Sequence, residues 1–272
     1  EKHYRELGFE AHGYVADVTD EAAVAELIAK IEADFGTTPD ILVNNAGVIQ
    51  RTPMLDMSAE DFRRVVDIDL NAPFIVSKAC LPGMIAKGHG KIINICSMMS
   101  ELGRETIAGY AAAKGGLKML TKNICSEFGE ANIQCNGIGP GYIATPQTAP
   151  LRETQPDGSR HPFDQFIIAK TPAARWGTPE DLKGPAVFLA SDASNFVNGH
   201  ILYVDGGILA YIGKRSSKRV RPPVSNHRVH SELLPYQHLI VPHLMAESLW
   251  IRLYCQKQNS RPFEREVPIH LP

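Results

Sequence analysis

A tyrosine and a lysine stand four residues apart in the stretch YAAAK, residues 110–114, and Ser97 closes the hydrophobic run KIINICS upstream of them. Residues four apart share one face of a helix, so Tyr110 and Lys114 present a phenol and an ammonium to the same place. A phenol ionises near pH ~10 when unperturbed, and a neighbouring cation favours its ionised form. The pair predicts a general acid or base, and Ser97 can donate a hydrogen bond to a substrate oxygen whose charge changes.

Each of these motifs alone also has an ordinary structural interpretation. A helix surface produces Y-x-x-x-K by chance, with an exposed tyrosine and a solvated lysine. The stretch NNAG, residues 44–47, can be a simple turn. Their combination, in this order and at the ends of successive predicted strands, favours a catalytic site.

The elements that must position these residues alternate along the chain. Strands are predicted at 11–17, 40–44, 91–97, 133–141 and 200–207, and helices at 21–35, 58–88, 109–129 and 178–191. This alternation predicts an α/β fold with a doubly wound parallel sheet, which binds its ligands at the carboxyl ends of the strands.

Local signals set the expected helix ends. Thr19 or Asp20 can cap the first of these helices, and Gly36 should end it. Ser58 and Asp61 form a capping box at the start of the next. Two prolines, Pro73 and Pro82, should bend or break that second helix.

Composition limits the kinds of partner. The chain has 272 residues, is 44% hydrophobic and carries 28 basic and 30 acidic residues, for a net charge of -2. This balance shows neither a nucleic-acid footprint nor a membrane-surface patch, so it favours a small-molecule partner. The five cysteines form no C-x-x-C pair, which fits reduced thiols in a cytoplasmic protein without a metal site.

Five motifs together resemble the short-chain dehydrogenase/reductase family: NNAG, Asn71 within DIDLNAPF, Ser97, YAAAK and PGYIATP, residues 140–146. The resemblance implies an NAD- or NADP-dependent oxidoreductase with a Rossmann-type sheet. It implies that Tyr110 exchanges the proton, Lys114 favours the phenolate and holds the nicotinamide ribose, Ser97 orients the substrate and Asn71 anchors a water. The other cofactor-binding residues that it implies are Asp17, Val18, Asn44, Ala46, Gly47, Pro140, Gly141, Ile143 and Thr145.

A narrower resemblance, in NICSMMSELGRET and the stretches after residue 133, is to the gluconate 5-dehydrogenase branch of that family. It implies a sugar acid as substrate, D-gluconate or its 5-keto form. Arg104 could then pair with the carboxylate in forked geometry, although a solvated loop arginine is the ordinary alternative. Gln147, Arg51 and His161 are weaker candidates, and the segment 146–171 is interpreted as a lid. The alternatives are a 3-oxoacyl thioester reductase or a non-catalytic fragment.

Two departures from the family pattern follow from the same resemblance. The glycine-rich turn and the first two strands of the family are not found ahead of the strand at 11–17, so NAD and NADP cannot be distinguished. Their absence should leave a gap in the sheet between 11–17 and 40–44. Residues 1–213 are thus expected to be the family domain of a homo-oligomeric enzyme. Residues 214–272, which contain no glycine, aspartate or threonine, are expected to be a mostly unstructured extension with a short helix near 239–255.

Overall fold

The computed structural model of the protein describes residues 1–213 and 252–254. In chain order the main elements are α1 (Lys2–Glu6), α2 (Glu21–Phe35), β1 (Ile41–Asn44), α3 (Ala59–Val66), α4 (Ala72–Lys87), β2 (Gly90–Ile95), α5 (Ala108–Phe128), β3 (Ile133–Pro140), α6 (Pro162–Lys170), α7 (Lys183–Ala190), β4 (Ile201–Val204) and β5 (Arg252–Tyr254). The α/β class and the parallel sheet predicted from the sequence are confirmed.

One sheet carries the fold, in the order β4-β3-β2-β1-β5. Strands β1 to β4 are mutually parallel, and β2 and β3 are buried along their whole length. Their carboxyl ends therefore meet at one edge of the sheet, as the alternation predicted. Helices α2 and α4 pack with β1 and β2 around a core that includes Val24, Ile28, Val76 and Ile92.

The predicted caps and the predicted stop are confirmed, but Pro82 does not break the helix, because α4 continues through it from Ala72 to Lys87. Asp20 accepts hydrogen bonds from the first-turn N–H groups of α2, and Gly36 ends that helix with φ +67°. Ser58 caps α3 by accepting from the Asp61 N–H at 3.0 Å. Between α3 and α4 the chain forms a π-helical turn, Asp67–Asn71, so the predicted helix is interrupted just before Pro73.

Two predictions about the sheet are wrong. Residues 11–17 are not a strand, because a strand needs a neighbour for its N–H and C=O groups. The outer edge of β1 is not left open, because β5 pairs antiparallel with it, Leu42 opposite Leu253. The predicted helix at 239–255 is also wrong at its end, since 252–254 is that strand. The rest of the helix lies outside the described residues.

Among the described residues, no helix is long and apolar enough to cross a bilayer. The four cysteines in that part of the chain, Cys80, Cys96, Cys125 and Cys135, are free thiols. Burial raises the pKa of the Cys80 thiol to about 12 and that of Cys96 to about 11. The Cys80 and Cys96 thiols therefore stay protonated at neutral pH and belong to the packing of the core.

Candidate active site

Ser97 stands two residues beyond the end of β2, at the carboxyl edge of the sheet. Its backbone is extended, and it caps a short 3-10 helix, Met98–Ser100. Its Oγ accepts a hydrogen bond from the Met99 N–H at 3.1 Å, so its own proton can be donated to another oxygen. The side chain is thereby fixed in direction but keeps its donor.

Tyr110 lies in the first turn of α5, on a small hydrophobic cluster made by Met98, Met99 and Ile107. Lys114 follows one helical turn later, and its Nζ lies 5.5 Å from the centre of the Tyr110 ring. The spacing of the two residues therefore does bring the ammonium to the phenol. Because Ser97 directly precedes the two methionines, the structure brings three of the four predicted catalytic residues to one cluster.

The Lys114 ammonium is buried and held by two oxygens. It donates to the Ile95 carbonyl at 2.9 Å, at the end of β2, and it lies 3.2 Å from Asp69 Oδ2. Burial lowers the pKa of Lys114, but Asp69 and smaller contributions from Tyr110 and Cys96 outweigh it, so the pKa is raised above the ordinary value of 10.5. Lys114 is consequently a cation at neutral pH although it is out of contact with water.

Asn71 does not join this group. Its side chain is exposed and donates to Asp67 Oδ1 at 2.7 Å, on the outer side of the π-helical turn. The buried residue of that turn is Asp69, which the motif-based prediction missed. A signal for it was present, because Asp69 continues the core-facing helical period of Val65 and Val76 and is a carboxylate at an apolar position.

Two arginines face the mouth of the site. Arg104 lies in the loop between Ser97 and Tyr110 and donates from Nη1 to the Tyr142 hydroxyl at 3.0 Å. Arg51 lies near it: burial first, and then the charge of Arg104, lowers the pKa of the Arg51 guanidinium. Neither arginine belongs to an ion pair among the described residues, although many other basic side chains there do. Two such cations side by side favour an anionic ligand.

The predicted lid, 146–171, lies against this pair of arginines. It consists of a 3-10 helix, Pro146–Arg152, an antiparallel bridge between Thr154 and Arg160, and α6. Phe163 of α6 lies 5.2 Å from the Arg104 guanidinium carbon, and Asp164 accepts from the Trp176 indole N–H at 2.7 Å. The loop that carries Arg104 is thus in contact with the lid.

The two other substrate candidates lie elsewhere on the lid. His161 caps α6, with Nδ1 accepting from the Phe163 N–H at 3.1 Å. Gln147 is exposed in the first turn of the 3-10 helix. Among the described residues, neither side chain forms a hydrogen bond with Arg104 or Tyr110, and the His161 ring serves to cap α6.

The predicted cofactor residues gather at the same edge of the sheet. A cavity beyond β1 is lined by Val18, Asn44 and Ala46 together with Asn45, Ala72, Pro73, Val43 and Val76. Asn44 directs its amide inward, to Ser77 Oγ at 3.0 Å and Asn94 Oδ1 at 2.8 Å. Asp17 is exposed and accepts from the N–H and hydroxyl of Thr19, which lowers its pKa. Asn44 therefore shapes the loop, and contacts from it to a ligand would use its backbone.

The turn after β3 completes this edge. A Cβ on Gly141 would lie 2.7 Å from Asp205 Cα, so the chain can pass there only as glycine. Ile143 is buried and pairs with Gly177, and the Thr145 N–H donates to the Thr148 hydroxyl oxygen at 3.0 Å. Pro140 is the last residue of β3. These contacts fix the turn next to the hydrogen bond between Arg104 and Tyr142.

A nicotinamide dinucleotide fits this site at its reactive half. Lys114 and Tyr110 offer an ammonium and a phenol, and the NNAG loop leads from them to the small cavity at the end of β1. The diphosphate needs backbone N–H groups at a helix N-terminus, next to the point where strand order reverses. Within 1–213 and 252–254, no helix begins in a glycine-rich turn beside β1, and the sheet order runs from β1 to β4 without reversal.

Comparison with known proteins identifies relatives of the chain. Residues 1–209 match a family model described as Enoyl-(Acyl carrier protein) reductase. The 2-dehydro-3-deoxy-D-gluconate 5-dehydrogenase of Formosa agariphila is 59% identical over 215 residues, which are 79% of each chain.

Solved structures show the same relationship. The crystal structure of 2-keto-3-deoxy-D-gluconate dehydrogenase from Streptococcus agalactiae is 80% identical with a TM-score of 0.65, over 78% of this chain and 80% of that one. A gluconate 5-dehydrogenase from Burkholderia cenocepacia, in complex with NADP and tartrate, is 43% identical with a TM-score of 0.72, over 78% and 80%. The chain belongs to the short-chain dehydrogenase/reductase family, whose members are NAD(P)-dependent oxidoreductases.

Proposed function

We propose that this protein is an oxidoreductase that interconverts a secondary alcohol and a ketone on a sugar acid, with NAD or NADP as the hydride carrier. The observation that carries the substrate class is the pair Arg51 and Arg104, two guanidinium groups beside Tyr110 with no acidic partner among the described residues. The apolar chain of an acyl thioester forms no favourable contact with two adjacent cations, so the arginine pair disfavours a thioester substrate.

The names of relatives also support a sugar acid as the substrate, and they narrow the choice of compound. Those of Formosa agariphila and Streptococcus agalactiae are named for 2-dehydro-3-deoxy-D-gluconate, and that of Burkholderia cenocepacia for gluconate. Both compounds are six-carbon acids with several hydroxyl groups. We take C5 of 2-dehydro-3-deoxy-D-gluconate as the first reaction to test and D-gluconate as the second.

In the proposed reaction Ser97, Tyr110 and Lys114 each have a separate role. In the oxidation direction the Ser97 hydroxyl keeps its proton, donates a hydrogen bond to the substrate oxygen and so orients it. Tyr110 takes the proton from the substrate hydroxyl at its phenol oxygen and returns it in reduction. Lys114 stabilises negative charge on that phenol. The nicotinamide ring, when bound, supplies or accepts the hydride.

Arg104 has two tasks in this proposal. Its guanidinium binds the carboxylate at the far end of the substrate, with Arg51 beside it, and its contacts to Tyr142 and Phe163 keep the lid next to the bound acid. The chain length of the acid would then set the distance between its carboxylate and the carbon that reacts. Substrate choice therefore depends on the lid and on Arg104 together.

The direct test is the reaction itself. Activity should be assayed in the chain preceded by the strand, glycine-rich turn, helix and second strand that the family resemblance implies; we call this the extended chain. With NAD or NADP present, it should oxidise 2-dehydro-3-deoxy-D-gluconate or D-gluconate and should leave 3-hydroxyacyl thioesters unchanged. Preference for the thioester would overturn the substrate assignment.

Arg104→Ala in the extended chain should reduce kcat/KM for the sugar acid by about 10- to 100-fold more than for an uncharged polyol of similar length, since only the acid loses a charge-assisted hydrogen bond. A general disturbance of the lid would lower kcat/KM for both substrates alike, so it would cancel in the ratio of the two values. Arg104→Lys should retain part of the preference because it keeps the charge without the fork.

Arg175→Ala is the matched control for this experiment, because Arg175 is an exposed arginine paired with Asp181 outside the site. It should leave kcat/KM unchanged for both the sugar acid and the polyol. Equal losses on acid and polyol in Arg104→Ala would remove Arg104 from the carboxylate site.

We further propose that the protein acts in the cytoplasm as a homo-oligomer. The free thiols support the first point. For the second, the large apolar side chains of Phe74 on α4 and Met119 on α5 are about half exposed, 49% and 59%. Such side chains on two neighbouring helices are typical of surfaces that another subunit covers.

A further inference from the structure

Tyr142 carries a phenol whose oxygen accepts a hydrogen bond but whose proton meets no acceptor among the described residues. Arg104 Nη1 donates to this oxygen at 3.0 Å. A guanidinium only donates hydrogen bonds, so the hydroxyl proton of Tyr142 remains available. The phenols of Tyr14, Tyr203 and Tyr211, by contrast, each donate to an oxygen of the protein, at 2.7, 2.7 and 3.1 Å. Tyr142 therefore keeps a hydrogen-bond donor that a ligand can use.

Aromatic neighbours hold the Tyr142 ring in one place. Its centre lies 5.6 Å from the ring centre of Phe163 and 5.6 Å from that of Trp176, edge to face with both. Trp176 is itself fixed, because Asp164 accepts from its indole N–H at 2.7 Å. The Tyr142 backbone is also tied, since its carbonyl accepts from the Gly177 N–H at 2.9 Å. A phenylalanine would make the same ring contacts, so packing does not account for the hydroxyl.

The Tyr142 hydroxyl belongs to the same part of the molecule as Tyr110 and the two arginines. Tyr142 and Tyr110 pack on one hydrophobic cluster. Burial lowers the pKa of the Arg51 guanidinium most, the charge of Arg104 lowers it further, and the phenols of Tyr142 and Tyr110 act in the opposite direction. Arg51 is thus within electrostatic reach of Arg104 and of both phenols. The free donor of Tyr142 therefore lies where the arginine pair favours an anion.

A carboxylate has room for this third donor. It offers about four lone pairs on two oxygens, and a forked guanidinium occupies two of them. A hydrogen bond from a hydroxyl to an ionised oxygen is short and about twice as strong as one between neutral groups. Because Tyr142 is hydrogen-bonded to Arg104, an acid that binds Arg104 brings a carboxylate oxygen next to the Tyr142 hydroxyl.

We propose that Tyr142 is a substrate-binding residue that donates a hydrogen bond from its hydroxyl to the substrate carboxylate bound by Arg104. This inference rests on the proposed function, in which the substrate is a sugar acid. Tyr142 adds to the preference for an acid without adding charge to the site. An uncharged polyol presents no ionised oxygen there, so it gains little from the phenol.

The first experiment measures binding without turnover. D-gluconate is titrated by calorimetry into the extended chain loaded with NADH or NADPH, because an alcohol does not react with a reduced cofactor. Tyr142→Phe should raise the Kd of D-gluconate about 10-fold and leave that of uncharged D-glucitol within about two-fold. Tyr14→Phe is the matched control, since it loses a phenol oxygen that is bonded to Asp34 on α2, and it should change neither Kd. Equal weakening of both ligands in Tyr142→Phe would contradict the proposal.

A double-mutant cycle separates direct contact from support of Arg104. If Tyr142 donates to the carboxylate itself, Tyr142→Phe should still weaken D-gluconate binding at least about three-fold when Arg104 is already alanine. No further loss in that background would show that the phenol only orients Arg104, and the proposal would be refuted.

The same measurements distinguish this proposal from the proposed function. Acid binding that depends on Tyr142 in both backgrounds supports the carboxylate contact, even if the extended chain then fails to oxidise sugar acids and the proposed reaction is wrong. Turnover of a sugar acid with an unchanged Kd in Tyr142→Phe would instead remove Tyr142 from the substrate site and leave the reaction standing.

Discussion

Tyr110→Phe should lower kcat of the extended chain at least about a hundred-fold on any sugar acid it turns over, because a positioned general acid or base contributes about that much or more. The substitution removes one oxygen atom. The ring keeps its contacts with Met98, Met99 and Ile107 and its place beside Lys114. Folding and lid contacts should therefore be unchanged, and steady-state kinetics with circular dichroism will check both points.

Tyr142→Phe is the matched control. Tyr142 packs on the same hydrophobic cluster and also loses a phenol oxygen, but that oxygen accepts from Arg104 and is not the proposed proton donor. Its effect should fall mainly on KM for the acid. If Tyr110→Phe kept more than about a tenth of kcat, a barrier change below roughly 1.4 kcal/mol, Tyr110 would not be the acid.

The sequence predicted most of the elements that position the site, since its strong signals are local. Alternating strands and helices, the Asp20 cap and the Gly36 stop depend on neighbours within a few residues, and the structure confirms them. The four-residue spacing of Tyr110 and Lys114 likewise needs only a helix. Local rules of this kind hold wherever the surrounding fold does not compete with them.

Non-local features could not be predicted in the same way. Residues 11–17 have the alternating pattern of a strand, but a strand exists only beside another strand, and the edge of β1 is paired with β5. The pairing joins positions more than two hundred residues apart, which no local pattern records. The polar contacts of Asn44 with Ser77 and Asn94 are of the same kind.

Asp69 lies between these two cases. Its helical period from Val65 was readable in the sequence, but its partner Lys114 is on another helix, and only the folded chain shows that the carboxylate meets an ammonium. A motif match directs attention to Asn71 instead, two residues away on the exposed side. Helical periodicity thus points to Asp69 and the motif points to Asn71. The burial of Asp69 supports the choice made by periodicity.

The 272-residue chain alone should show no saturable binding of NADH or NADPH below about 1 mM, because most of the affinity for a dinucleotide diphosphate comes from backbone N–H groups and the dipole at a helix N-terminus. The described residues supply Lys114, Tyr110 and the cavity beyond β1, and these groups reach only the two ends of the cofactor. Isothermal calorimetry and cofactor fluorescence will measure the binding.

The extended chain is the positive control, and β5 makes the comparison informative. In the Rossmann order the strand that carries the glycine-rich turn lies beside β1, where β5 lies here. Restoring that strand should displace β5 from β1 and bring cofactor binding into the micromolar range. In the 272-residue chain β5 covers the edge, so deletion of 214–272 should expose it and promote aggregation, seen as loss of soluble protein. A micromolar dissociation constant for the 272-residue chain would show that its own residues suffice for the diphosphate.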